Sequence, residues 1–347
     1  MREPLSLPTV RIFFPSHLYR LLLPKLFHAC FVCLSLYFLF GLVRLEGKES
    51  FFPLIKEEPA FADETVPQYE LVICALFHNE AFFLKEWIEF HKLQGVQHFY
   101  LYNNLSTDNY LEILTPYIEA GEVDLIDWPV ETSNQKDYMN NLQLPVYQHA
   151  LALVKHKAKW AAFLDLDEFL FPVKHAHLCE LLEDYADYAG LAVNWQVYGT
   201  SWLDALPPDG LIIENLILKS DERWEMNRIV KLIVQPAYVE CIPNPHFFIY
   251  KDGCFAVNTS KIPLEPGLIG HPVVIDTVRI NHYWFGPYEW FLKNKLPRRQ
   301  KWGMDLSKET WDGLIQSCNQ YKDEAIVRFV PQLKERLFNR QSPTPLE

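Results

Sequence analysis

The chain has 347 residues, 49% of them hydrophobic and 22% charged, which supplies one large domain or two modest ones with a core and excludes extended disorder. Its 24 prolines outnumber its 13 glycines, so collagen-like and Gly-rich low-complexity classes are excluded too. With 32 basic and 44 acidic side chains the net charge is −12.

That charge is unevenly spread. Residues 1–50 carry six basic and three acidic side chains, a local +3 that leaves the body at −15. An acidic body argues against nucleic acid as a partner, because phosphate contacts need clustered Lys and Arg. A small anionic substrate there requires a bridging cation or a local basic pocket.

In chain order, a basic tail (1–25) is followed by an apolar run from Leu26 to Val43 without Asp, Glu, Lys or Arg. Its length suits a single membrane-spanning helix, and the flanking Arg20, Lys25 and Arg44 favour a cytoplasmic N-terminus. A cleaved leader is the alternative. Residues 44–69, punctuated by Pro53, Pro59 and Pro67, form an expected linker, and the folded domain is expected over 70–340. The five cysteines beyond the apolar run include no CxxC pair, so neither a metal nor a dense disulfide framework is indicated. Asn104-Leu105-Ser106 and Asn258-Thr259-Ser260 are sequons, which also arise by chance. The side of the membrane on which the body lies stays open.

Leu71 to Phe77 (LVICALF) has the continuous apolar, β-branched character of a buried strand. A helix is expected from about Glu80 to Gly95, then a strand at Val96–Tyr102, a helix at Tyr110–Ile118 and a strand at Val123–Trp128. A further helix fits Leu144–Lys157 and a fourth strand fits Trp160–Leu164, with shorter strands at Leu191–Val197 and Val230–Val234. This alternation predicts an α/β fold with βαβ units, a mostly parallel sheet, and ligands at the carboxyl ends of the strands.

The fourth strand runs directly into Asp165-Leu166-Asp167-Glu168. Residues i and i+2 project to one side of an extended chain, so Asp165 and Asp167 can address a single point past the strand end. Two hard carboxylates there suit Mn²⁺ or Mg²⁺, with a nucleotide diphosphate completing the shell. A bare DxD is more often a solvated acidic turn, but this one ends a buried strand.

Three ordered blocks, ALFHNEAFFLKEWIEFHKLQGVQHFYLYNNLSTD, YIEAGEVDLIDWP and KWAAFLDLDEFLFP, resemble glycosyltransferase family 92, a relative of the family 2-like group. Fainter echoes in VNWQVYGTSW, KLIVQP, NPHFF and RINHYW extend the likeness from Val72 to Lys295. The resemblance implies a Rossmann-like GT-A fold, a nucleotide-sugar donor (UDP-galactose foremost), a divalent metal and transfer with inversion. It implies Asp165 and Asp167 as the DxD pair with His282 as a third metal ligand. Asn79, Glu80, Asn103, Ser106, Asp108, Gln143 and Tyr147 would line the donor pocket. Where the family pattern has an acid, a final Gly and an Arg, this chain has Asn103, Trp202 and Gln235, and Gly286-Pro287 replaces a polar step.

Inversion requires a base on the acceptor hydroxyl and stabilisation of the departing diphosphate. Asp204, Glu214 and Glu222 are candidate bases, Glu214 foremost because LIIE has strand character. Lys231 and Arg228 are candidates to neutralise donor phosphates, and the alternative for each is a surface salt bridge. His246 is placed either at the donor or in loop packing. Trp195, Trp202 and Trp284 could stack on sugar rings, against the commoner role of core packing. Expected partners are a nucleotide-sugar, a glycan or glycoconjugate acceptor and a membrane, with no nucleic acid. The alternatives are a catalytically decayed carbohydrate-binding protein and a metal-dependent nucleotidyltransferase or phosphatase. No P-loop, HxH or DxDx[TV] pattern accompanies the acids, and retention of both Asp165 and Asp167, with Glu80 and His282, argues against decay.

Overall fold

The computed structural model describes residues 66–265 and 272–338. The expected tail, the membrane segment 26–43 and most of the linker lie outside the described residues. Among the described residues no helix is long and apolar enough to cross a membrane.

The first half follows the sequence pattern closely. Strand β1 (Tyr69–Phe77) is buried from Leu71 onward, as its unbroken apolar run requires. Helix α1 (Ala81–Leu93) returns to β2 (His98–Asn103), helix α2 (Tyr110–Glu119) leads to β3 (Val123–Asp127), and helix α3 (Leu144–Val154) leads to β4 (Ala158–Leu164). The chain leaves α1 through Gly95, whose φ of +93° is in the left-handed region and whose added Cβ would sit 2.7 Å from Cys179 Sγ. The helix before β4 is shorter than expected at its end, stopping at Val154. It is preceded by a π-helical turn, Tyr138–Gln143, that periodicity alone does not reveal.

Strands β1 to β4 pair in parallel in the order β3-β2-β1-β4. Beyond β4 the sheet becomes mixed rather than mostly parallel. Next come β5 (Glu168–Pro172), helix α4 (Leu178–Glu183), β6 (Gly190–Val197), β7 (Leu218–Lys219) and β8 (Val230–Val234). They are followed by β9 (Val239–Asn244), β10 (Phe247–Tyr250), β11 (Ala256–Asn258) and β12 (Val278–His282). The sheet continues β4-β8-β6-β12-β5, with β8 antiparallel to both β4 and β6 and β12 antiparallel to β5. Because a turn of three residues joins β4 to β5 while three strands separate them in the sheet, this half curls back on itself. Strands β9 and β10 form a separate hairpin. The chain closes with helix α5 (Leu296–Lys301), helix α6 (Lys308–Ser317), β13 (Tyr321–Lys322), paired with β7, and helix α7 (Val330–Phe338).

Two further expectations change. The LIIE run is not a strand: Ile212–Asn215 is a single helical turn whose first amides, Ile212 and Ile213, donate to the buried carboxylate of Glu86 at 2.7 and 3.0 Å. Both sequon asparagines are buried and bonded through their side chains. Asn104 donates to Trp128 O and Val130 O, and Asn258 accepts from Ser260 N and Ile262 N.

Candidate active site

The parallel half positions the site. Strand β1 is flanked by β2 on one side and β4 on the other, so the loops at its carboxyl end diverge and leave a crevice. The register pairs Ala75 with Leu164, which sets His78 and Glu80 beside the Asp165–Asp167 turn. Strand β12 then lays His282 opposite Glu168, and Tyr283 N donates to Asp167 O at 2.8 Å, tying the turn to the curled half. An open cleft of about 740 Å³, open solvent included, forms here. Glu80, Gln143, Asp165, Asp167, His246, His282, Lys295, Arg298 and Arg299 are on its walls, with Trp195, Trp284 and Trp302.

Two buried lysines balance the acids. Lys231, on β8 and 1% exposed, lies 3.0 Å from Asp165 and 3.7 Å from Glu168, and donates to the Tyr147 hydroxyl at 3.2 Å. Despite burial, Asp165 and Glu168 hold its ammonium well above its ordinary pKa. Lys295 lies 2.5 Å from Asp167 and 3.9 Å from Glu80, and His282 Nε2 is 3.4 Å from the other Asp167 oxygen. Burial alone would push Asp167 up, but Lys295 and His282 hold it well below the usual carboxylate range. Burial pushes Glu168 well above that range and Glu80 up to about 7, in each case against the pull of the nearby lysine.

The expected residues fall into three groups. Glu80, Gln143, Asp165, Asp167 and His282 meet on the cleft walls. Lys231 and Tyr147 sit directly behind them, through Asp165. Asn79, Asn103, Ser106 and Asp108 form a lock between the ends of β1 and β2. The Asn79 side chain, at φ +53°, accepts from Thr107 N at 2.6 Å and Asp108 N at 3.3 Å. Ser106 Oγ accepts from Asn79 N, Asn103 Oδ1 accepts from Ser106 N, and Asp108 Oδ2 accepts from Ala81 N at the start of α1. These bonds shape the loop, Asp108 Oδ1 is buried without a partner, and the wall residue of that stretch is Asn104.

None of the three candidate bases is on the walls. Glu214 pairs with Lys334 of α7 at 2.7 Å, and Asp204 is exposed on a loop. Glu222 pairs with Lys219 and Arg228 with Glu225. His246 does face the cleft, its Nδ1 2.9 Å from Val230 O, and burial together with Lys231 pushes its imidazole down to about 4. Trp195 lies edge-on to His246 and 4.3 Å from the His282 ring, whereas Trp202 is 63% exposed and off the walls.

Sequence reasoning missed the basic wall. A second π-helical turn, Phe291–Lys295, delivers Lys295, and α5 delivers Arg298 and Arg299. Lys293, Lys295, Arg298, Arg299 and Lys301 stand together without an acid in an otherwise acidic body, a signal that could have exposed the wall.

The donor set at the turn has the chemistry of a hard divalent ion. Asp165 Oδ1 is buried with no hydrogen-bond partner, Asp167 stands beside it, and His282 adds an imidazole whose Nδ1 also lacks a partner. Among the described residues no three His, Cys, Asp or Glu side chains converge as a finished ligand set, because the lysines hold the other oxygens.

A family model, glycosyltransferase family 92, matches residues 69–319. A family 92 protein of Ricinus communis is 26% identical over 247 residues, 67% of this chain and 38% of that protein. A second, from Arabidopsis thaliana, is 25% identical over 250 residues, again 67% of this chain and 38% of its own length. The matches thus take in well under half of either relative. A galactan β-1,4-galactosyltransferase of Arabidopsis thaliana is 32% identical over 111 residues, 30% of this chain and 22% of that one. Among solved structures, S. aureus TarS aligns with 12% identity and a TM-score of 0.31, over 49% of this chain and 48% of that one.

Proposed function

The chain belongs to glycosyltransferase family 92, matched across residues 69–319, and on that premise we propose that it moves a sugar from a nucleotide-sugar to a hydroxyl of a glycan or glycoconjugate. One observation carries this reading. Asp165 and Asp167, at the carboxyl end of β4, face Lys295, Arg298 and Arg299 across a single cleft. Such a cleft offers cationic donors to a diphosphate inside an acidic protein. Galactose is the favoured sugar, on the strength of the galactan galactosyltransferase likeness, and a uridine-linked form of it is the proposed donor. The GT-A assignment is favoured by the parallel β3-β2-β1-β4 half with its acids at the strand ends.

The proposed reaction is a single inverting displacement. The acceptor oxygen bonds to the anomeric carbon, the bond from that carbon to the diphosphate oxygen breaks, and the acceptor proton passes to a base. Asp165, Asp167 and His282 would hold a Mn²⁺ or Mg²⁺ ion, which would act as Lewis acid on the leaving phosphates. Lys231 orients Asp165 from behind through an ion pair at 3.0 Å. Trp284 and Trp302 line the same cleft and offer aromatic faces to a sugar ring.

The proposal extends to location: one N-terminal helix over residues 26–43 anchors the protein in a membrane with its N-terminus cytoplasmic. A chain beginning at Pro59 is then soluble, and its continued sedimentation with membranes would remove the single-anchor reading. The activity test is a panel of nucleotide-sugars on that shortened chain, following UDP and GDP release with Mn²⁺ and with chelator. Metal-stimulated release from one donor is expected. No release and no binding with any donor sinks the reading.

A further inference from the structure

Outside the carboxylate turn, the cleft carries a second, independent feature. The segment from the π-helical turn Phe291–Lys295 into α5 turns three cations inward. Aromatic faces hold all three. Lys295 Nζ is 5.7 Å from the Trp284 ring and 5.8 Å from the Trp290 ring, Arg299 is 5.3 Å from both Trp284 and Trp302, and Arg298 is 5.5 Å from Trp302. Stacking leaves the edges of a guanidinium free to donate hydrogen bonds. Arg299 Nη1 fastens the segment to the opposite rim through Gln135 Oε1 at 2.6 Å. Lys295 is occupied by Asp167, but Arg298 Nε is buried with no hydrogen-bond partner. A buried guanidinium nitrogen without an acceptor is costly unless a ligand supplies one.

We infer that Arg298 and Arg299, with Lys295 committed to Asp167, form a clamp for the terminal phosphate of a nucleoside diphosphate, which binds and steadies the leaving group independently of a divalent ion. This rests on the nucleotide-sugar reading and adds the residues that grip the leaving group. Planar guanidinium forks match phosphate oxygens in pairs, and their fixed stacking means little reorganisation on binding. Lys295 keeps Asp167 ionised at one end of the cleft, and the two arginines present positive charge at the other.

The test is calorimetric titration of UDP and UMP, in chelator and again in Mn²⁺, with Arg298→Gln compared against the unaltered chain. Arg298 leaves no partner stranded when replaced, so the variant is expected to fold. In chelator the unaltered chain is expected to favour UDP over UMP. Arg298→Gln is expected to lose about tenfold in UDP affinity, as for one charge-assisted contact, with UMP changed less than about twofold. Arg223→Gln, at a cation 90% exposed and away from the cleft, controls for general charge loss and is expected to change neither. An unchanged UDP preference in Arg298→Gln overturns the clamp. So does UDP binding that requires Mn²⁺ in the unaltered chain. If no nucleoside diphosphate, GDP included, binds under either condition, the nucleotide-sugar reading itself fails and takes the clamp with it.

Discussion

The two walls of the cleft are built by opposite means. The acidic wall comes from the ends of β1 and β4, adjacent parallel strands whose register alone brings Glu80 and Asp165–Asp167 together. The basic wall comes from the segment 291–299, with Lys231 of β8 behind the acids, and Lys295 reaches Asp167 across 128 residues of chain. Acids at strand ends follow from local pattern. The cations that make those acids tolerable in a buried place arrive only when the curled half of the sheet packs against the parallel half. The comparison teaches that this site is an ion network shared between halves, and each half supplies charges the other cannot leave unpaired.

The sharpest break is Asp167→Asn. It removes the acid that both Lys295 and His282 address, so donor turnover is expected to fall about 100-fold or more while the chain stays folded. Unchanged turnover would separate the acidic wall from the chemistry.

The basic side is tested through Lys231→Met, which strands the buried Glu168 and the half-buried Asp165. A loss of about 3–5 kcal/mol in urea unfolding is expected. A loss below about 1 kcal/mol would mean the two halves are not coupled through this ion network.

A third variant, Glu86→Gln, probes the same coupling by pH. Glu86 is raised from 4.5 to about 7 by burial, against the two backbone amides it accepts. A raised carboxyl favours the folded state fully below pH 4.5, and that advantage is lost as pH rises through 7. The variant should flatten the decline between those values by on the order of 3 kcal/mol at most. A slope identical to that of the unaltered chain would show that Glu86 does not titrate there.

The smallest effect is expected at Trp202, a non-glycine at φ +62° on an exposed loop where the family pattern has Gly. Relief of that backbone strain in Trp202→Gly should raise stability by at most about 1 kcal/mol, partly offset by unfolded-chain entropy. If activity on a glycan acceptor falls while UDP binding holds, the indole is an acceptor contact.

Much of the parallel half was legible because each of its elements is specified by residues close in sequence. LVICALF and WAAFL are continuous buried strands, and Gly95 ends α1 through a backbone angle that glycine adopts freely. The acids after β4 were legible for the same reason. Glu214 misled because an apolar LII run has no period that separates a buried strand from a helical turn, and the Glu86 carboxylate, distant in sequence, decides the matter by accepting its first amides. Asn79, Asn103, Ser106 and Asp108 show a different limit. Short polar side chains serve a loop's own backbone as readily as a ligand, and their bonds to that backbone are invisible in the sequence.

From the sequence alone came the α/β alternation, the position of the two aspartates and the requirement for a bridging cation or a local basic pocket in an acidic body. Hydrophobic period and turn residues act over a few positions and are readable as text. Tertiary structure alone decided that the sheet turns antiparallel at β8, that Lys231 and Lys295 neutralise Asp165 and Asp167, and that α5 forms the facing wall. Those outcomes depend on which buried charge finds which partner, and burial raises the cost of an unpaired ion far above anything a local pattern encodes.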